Sequence, residues 1–117
     1  MDASTLELAL AELNADAATR RRLRFADIVF VVAVGAESTR FVADTNGIRV
    51  IVDGRSPAFV INVDGEAWSR FASAAPPPGF QDVSSMAETG RARVTGSFVD
   101  FVRYLNVVRD VMAQLAR

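Results

Sequence analysis

The sequence predicts a single α+β domain, and three observations support that fold class. Apolar residues recur at helical spacing near both ends of the chain, in residues 4–23 and 97–116. Between them lie runs of β-branched and aromatic residues that are typical of strands. The Asn46-Gly47 pair separates two of these runs and indicates a hairpin, because both residue types tolerate a positive φ. We therefore expect one domain over residues 1-117.

Length and composition exclude several classes of function. The chain has 117 residues, half of them hydrophobic, and a formal net charge of -1, so no overall positive field attracts nucleic acid. The sequence contains no cysteine and no histidine, which removes thiol chemistry and the commonest metal ligand. It also contains no lysine, which removes Schiff-base chemistry. We expect no cofactor and no metal.

The sequence shows no pattern for export or for membrane insertion. The start of the chain lacks a basic region followed by an apolar run, so we expect no secretory signal. The longest apolar run, residues 28–34, is far too short to span a bilayer. We expect a cytoplasmic protein whose contact with a membrane is at most peripheral.

Two helices and three strands are predicted in the first half. Ser4 and Glu7 fit a capping box at the start of the first helix. Asp16 is expected to cap a second helix that continues to about Leu23. Three strands then follow, separated by turns over residues 35–38 and 45–47; the predicted ranges are 25–34, 40–44 and 48–52.

The period of the pattern changes after a fourth strand, predicted over residues 58–63. Asp64 is the expected N-cap of a helix that continues to about Ala75. Pro76 stops this helix, because proline cannot continue one. Residues 80–88 fit either a loop or a short helix.

A fifth strand over residues 90–96 and one long helix complete the chain. Ser97 is expected to cap that helix, which we predict to continue to about Ala116. Tyr104 and its neighbours widen the apolar stripe of the helix beyond what one buried seam needs. Such a stripe can face the sheet on one side and a cavity, a second copy or a partner chain on the other.

The pattern from residue 58 onward resembles the sterol carrier protein family, the type-2 lipid-transfer fold. A strand over 58–63 meets the polar cap Asp64, and a helix carrying Trp68 and Phe71 follows. A Pro-containing segment, the strand over 90–96 with a glycine at each end, and an apolar closing helix complete the match. The resemblance implies a five-stranded, mostly antiparallel sheet with helices packed on one face. It also implies a tunnel between them for sterols, fatty acyl chains or similar lipids.

Two features depart from the family and leave the size of the tunnel open. The family usually has a glycine at the end of the helix after the fourth strand, whereas here Ala74-Ala75 run directly into Pro76. The link before the fourth strand, Ser56-Pro57, is also brief.

Aromatic and Met side chains in the second half are the candidate ligand-binding residues. These side chains provide area and adaptability in apolar cavities, although each of them equally fits an ordinary core. The set is Trp68, Phe71, Phe80, Met86, Phe98, Phe101, Tyr104 and Met112. We interpret the set as the lining of a site for an apolar small molecule (a lipid, sterol, fatty acyl chain or terpenoid), and Phe80 as its lid. No catalytic residue is assigned.

Two alternatives remain open. The domain fits an accessory or dimerisation role beside a larger lipid-active enzyme, as a homodimer or with a partner enzyme. It also fits a small acid–base enzyme that uses Asp27, Asp100 and Arg103. The arginines over residues 20–24 fit a solvated helix face, or a docking site for anionic lipid or an acidic partner.

Overall fold

The computed structural model describes residues 3–52 and 54–117. Its helices and strands follow the predicted order along the chain. They are α1 (Ala3–Ala15), α2 (Ala17–Arg22), β1 (Asp27–Val34), β2 (Glu37–Asp44), β3 (Gly47–Val50), β4 (Phe59–Val63), α3 (Gly65–Phe71), α4 (Val83–Glu88), β5 (Ala92–Gly96), α5 (Phe98–Arg103) and α6 (Leu105–Leu115). Within the described ranges, no helix has the length and apolar character needed to cross a bilayer.

The strands form one mixed five-stranded sheet in the order β3-β2-β1-β4-β5. Strands β1 and β4 are parallel, and the other three neighbouring pairs are antiparallel. The predicted fold class is confirmed. Because β4 lies beside β1, the chain must pass β2 and β1 after it leaves β3. The ion pair between Arg55 and Asp27 (2.8 Å) and the hydrogen bond from Ala58 N to Val29 O (2.7 Å) fix the end of this connection.

Both hairpins form, with shorter turns than predicted. Strand β2 begins at Glu37, which pairs with Val34, so the first turn is residues 35–36 rather than 35–38. In the second hairpin the loop is Thr45-Asn46, and of the Asn-Gly pair only Gly47 has a positive φ, at 119°. The ladder extends further than the sequence indicated, because continued strand pairing satisfies more backbone groups.

Three of the predicted helix caps are confirmed. Asp16, Asp64 and Ser97 each accept a hydrogen bond from the backbone N–H three residues later, at 2.9, 2.7 and 3.2 Å. The expectation for Ser4 is wrong, because α1 already includes Ala3 and Ser4 lies inside the helix. The residue before Ala3 lies outside the described part of the chain.

Two helices differ from the prediction, and a segment that was left open forms a short helix. Helix α3 ends at Phe71 rather than near Ala75, since the residue before a proline disfavours helical ψ and the intervening alanines bury little surface. The ambiguous residues 80–88 contain the short helix α4. The final helix is divided at Tyr104 (φ −104°, ψ 20°), where α5 follows the sheet and α6 turns to follow α1.

A row of phenylalanine rings crosses the face of the sheet that the helices cover. Phe41, Phe30 and Phe59 stack with centroid separations of 5.4 and 5.5 Å, and Phe101 of α5 meets Phe59 edge-on at 5.7 Å. All four side chains are buried. The centre of the space between sheet and helices is therefore filled by side chains, and open space lies toward its edges.

Candidate ligand-binding cavity

An apolar cavity of about 330 Å³ lies between the sheet and helices α1, α3 and α6. We call it the Trp68 cavity. Its lining is mostly aliphatic and aromatic, with one carboxylate and one hydroxyl at β2. The lining residues are Leu6, Val32, Val34, Glu37, Thr39, Trp68 and Leu115.

Strand alternation explains why β1 and β2 line this cavity. Val34 is paired with Glu37, and Val32 with Thr39, so all four side chains point to the helix-covered face. Trp68 reaches the same space from the first turns of α3. Its ring packs against Phe71 at 5.3 Å.

A second space of about 470 Å³ continues beneath α1 toward the edge strand β3. We call it the α1 groove, and Leu6 borders both spaces. The residues that line the groove are Leu6, Glu7, Leu10, Ala11, Asn14, Ile48, Arg49 and Val50.

Asn14 fixes α1 to the edge strand. Its side-chain amide accepts a hydrogen bond from Ile48 N (2.8 Å) and donates one to Ile48 O (3.0 Å), as a neighbouring strand would. A side chain at Gly47 would approach Asn14 Oδ1 to 2.9 Å, so the contact requires glycine there. The two hydrogen bonds between the Asn14 side chain and the backbone of Ile48 thus set the distance between α1 and β3 at the α1 groove.

Arg49, which lines the α1 groove, is already engaged by a carboxylate. Arg49 makes two hydrogen bonds to Asp44, at 3.0 and 2.9 Å. These bonds from Arg49 hold the pKa of Asp44 below its usual value. Arg49 therefore contributes a neutralised pair rather than a free cation to the edge of the groove.

The structure separates the eight predicted ligand-binding side chains into groups. Trp68 lines the Trp68 cavity, with Phe71 half-buried beside it. Met86, Phe101 and Met112 are fully buried in the core, and Tyr104 is half-buried. Phe98 is 59% exposed. A ligand-binding role for this set stays a prediction.

Phe80 is buried, and two arginines stack against it. The guanidinium carbons of Arg70 and Arg91 lie 5.3 and 5.0 Å from its ring centroid. Phe80, Arg70 and Arg91 line a separate groove of about 260 Å³. The role of Phe80 as a lid stays a prediction. A lid movement would have to separate its ring from the guanidinium groups of Arg70 and Arg91.

Sequence reasoning missed most of the residues that line the Trp68 cavity. Leu6 and Leu115 were interpreted only as parts of helical stripes, and Val34 only as part of a strand. Alternation in β1 and β2 does identify the side chains that face the helices. No local signal shows which of them border a void, because that depends on helices from three separate parts of the chain.

The candidate acid–base groups lie at the surface. Asp27 pairs with Arg55 and its side chain is 69% exposed. Asp100 and Arg103 lie 3.9 Å apart on α5, with side chains 32% and 66% exposed. None of these three residues lines the Trp68 cavity or the α1 groove.

The mixed five-stranded sheet with its helices is an architecture shared with solved structures of sterol carrier protein 2. No protein-family model and no curated protein matches the sequence. Solved structures do match. A structure of sterol carrier protein 2 aligns with a TM-score of 0.66 over 97% of this chain and 95% of its own, at 15% identity.

Two further structures share the fold. A conserved hypothetical protein from Thermus thermophilus, described as possibly a sterol carrier protein, aligns with a TM-score of 0.68 and 14% identity, over 98% of this chain and 87% of its own. A UbiJ-SCP2 ubiquinone synthesis protein aligns with a TM-score of 0.60 and 18% identity, over 98% and 94%. At these identities the likeness shows a common fold.

Proposed function

We propose that residues 1–117 form one domain that binds and carries a single apolar molecule in the Trp68 cavity. The observation that carries the proposal is a space of about 330 Å³ with an aliphatic and aromatic lining between sheet and helices. Small-molecule sites are concave, mostly apolar and of this size. Burial of apolar ligand surface, at about 25 cal/mol per Å² before ordering costs, supplies the affinity.

Fluorescence of Trp68 gives a direct test. Trp68 is the only tryptophan, and it borders the cavity. We expect saturable, one-to-one changes in its emission with one class of ligand from a panel of fatty acids, sterols and terpenoids. Val34→Phe fills the cavity from the β1 side, so we expect it to weaken binding at least tenfold.

Val52→Phe is the matched control for that variant. Val52 is 94% exposed and borders neither space, so the same change in volume should leave binding unaltered. Circular dichroism establishes that both variants are folded. The proposal fails if no member of the panel alters Trp68 emission in the folded protein, or if both variants bind as the parent does.

An accessory role beside a larger lipid-active enzyme is the second candidate. It is favoured by the match to a ubiquinone synthesis protein over nearly the whole chain. In that role the domain would stabilise or present a partner's substrate without holding cargo of its own. A negative ligand panel together with a co-purifying enzyme would favour this candidate.

A further inference from the structure

Several large apolar side chains are exposed around α5 and the start of β1. Phe25 is 87% exposed, and Phe98, Val99 and Val102 are 59, 68 and 53% exposed. A single exposed apolar residue is ordinary, whereas neighbouring ones indicate an interaction site. We call this surface, together with Arg22, Arg24 and Arg103, the α5 face.

A shared groove and one hydrogen bond join the two parts of the α5 face. Phe25 and Arg103 line one groove of about 370 Å³, together with Tyr104. Val99 lies one helical turn before Arg103, so the two side chains share one side of α5. The Tyr104 hydroxyl lies 3.5 Å from the backbone nitrogen of Asp27, which ties the end of α5 to the start of β1.

The arginines around the α5 face outnumber its carboxylates by one, so among the described residues one arginine is left unpaired. Its carboxylates are already paired: Asp110 with Arg22, Asp27 with Arg55, and Asp100 with Arg103 at 3.9 Å. Arg24 has no carboxylate partner within the described ranges, and its guanidinium lies 5.4 Å from the ring centroid of Phe25. Arginine on an exposed aromatic ring thus forms the most prominent part of the face.

We propose that the α5 face docks onto a membrane surface that contains anionic lipid. Exposed Phe and Val side chains enter the boundary between headgroups and acyl chains, while arginines remain at the level of the phosphates. Each arginine near an anionic surface strengthens binding about fivefold.

A second copy of the chain fits this face less well. A two-fold contact through Phe25 would bring the unpaired Arg24 of both copies close together, and like charges oppose such a contact. The face exposes only four large apolar side chains, with arginines beside them, whereas a stable interface buries about 800 Å² on each partner. A membrane requires neither self-complementarity nor a large flat area.

Vesicle flotation tests the proposal. We expect the protein to float with vesicles of phosphatidylcholine and phosphatidylglycerol, to stay behind with phosphatidylcholine alone, and to be released by salt. Arg24→Gln should weaken binding about fivefold. Phe25→Ser should weaken it further, because it removes the inserted ring. Phe25 is exposed, so the protein should remain folded, as circular dichroism will show.

Leu8→Ser and Arg93→Gln are the matched controls. Leu8 is a 70% exposed residue of α1, and Arg93 is an exposed arginine of β5; neither belongs to the α5 face. Both variants should float like the parent. The proposal is overturned if the parent does not float with anionic vesicles, or if the controls lose binding as strongly as the α5 variants. Sedimentation that shows a dimer lost in Phe25→Ser would assign the face to a second copy instead.

Discussion

Gly96 and Gly90 both have a positive φ, at 92° and 78°, but they stand in different surroundings. A side chain at Gly96 would lie 2.6 Å from Ala58 O and 3.0 Å from the Cα of Phe59. At Gly90 a side chain would meet open space. Gly96 thus allows the end of β5 to approach β4 closely, and it leads directly into Ser97, which caps α5.

Alanine at these two glycines separates backbone strain from steric contact. Gly90→Ala should lower the free energy of unfolding by about 1 kcal/mol, the cost of the left-handed conformation alone. Gly96→Ala should lower the free energy of unfolding by about 1–3 kcal/mol more than Gly90→Ala does. The reason is that β4 cannot move away from the new side chain without losing its pairing with β1. Urea unfolding followed by Trp68 fluorescence measures both. Equal losses would show that the close approach at Gly96 carries no energetic weight.

Caps were the residue-scale features that the sequence predicted best. Asp16, Asp64 and Ser97 bond to a backbone group only three residues away, so a short stretch of sequence contains the whole interaction. The lining of the Trp68 cavity was not predictable in this way. Leu6 and Leu115 meet there although they lie at opposite ends of the chain.

At the scale of elements, Asp82 joins α4 to α6. Its carboxylate accepts hydrogen bonds from Arg109 Nε (2.9 Å) and from the Ser84 hydroxyl (2.5 Å). Burial alone would raise the pKa of Asp82, but the bonds from Arg109 and Ser84 outweigh it and hold that pKa below its usual value. The pair lies at the surface, so we expect a modest contribution to stability.

The pH dependence of this link follows from the sign of the shift. A carboxyl group whose pKa is lowered by folding stabilises the protein above its unfolded pKa of about 4 and loses that effect as the pH falls through the folded value. Asp82→Asn should therefore cost about 0.5–1 kcal/mol at pH 7 and progressively less below about pH 4. Denaturant unfolding of the parent and of Asp82→Asn, at pH 7 and below about pH 4, measures the difference in the free energy of unfolding.

Glu66→Gln serves as the comparison for that variant. Glu66 is 77% exposed and pairs with Arg70 within the same helix, so it joins no two elements. We expect a smaller loss than for Asp82→Asn at pH 7. If Asp82→Asn costs the same at pH 7 and well below pH 4, the ion pair with Arg109 is not the source of its effect.

Element boundaries were predicted where local chemistry decides them and missed where packing does. Pro76 was expected to end α3, yet the helix stops at Phe71, before four small residues. Residues 98–115 have one continuous helical period, so nothing in the pattern indicates the break at Tyr104. That break reflects two packing surfaces, the sheet for α5 and the neighbouring helices for α6.

At the scale of the whole molecule, the strand order depends on a long-range choice. The sequence indicates five strands and a hairpin between β2 and β3. It does not indicate whether β4 pairs with β3 or with β1. Strand β4 lies beside β1, in parallel, and this places β4 and α3 near the same end of the sheet as Val34. The Trp68 cavity exists because of that placement, since α3 brings Trp68 over β1.

Side-chain hydrogen bonds hold the second half of helix α1 to the rest of the molecule. Asn14 bonds to Ile48, and Glu12 accepts hydrogen bonds from Gln114 (2.6 Å) and Arg117 (3.3 Å). The first half of the helix carries Leu6, which borders both the Trp68 cavity and the α1 groove. Separation of residues 4–11 from the sheet would open both spaces, and we predict that the proposed cargo enters by this route.

Hydrogen exchange with bound cargo tests this route. Opening of α1 would release the ligand, so bound ligand opposes that opening. At a ligand concentration of about 100 times the dissociation constant, hydrogen exchange in residues 4–11 should slow by up to about 100-fold. Helix α4 borders neither space and opens without releasing cargo, so its local exchange should not change. Val34→Phe weakens binding at least tenfold, so at the same ligand concentration the slowing in α1 should fall to about tenfold or less, and exchange in α4 should stay unchanged. Protection of α4 to the same degree as α1 would mean that cargo enters elsewhere, because a ligand slows only those openings that disrupt its own site.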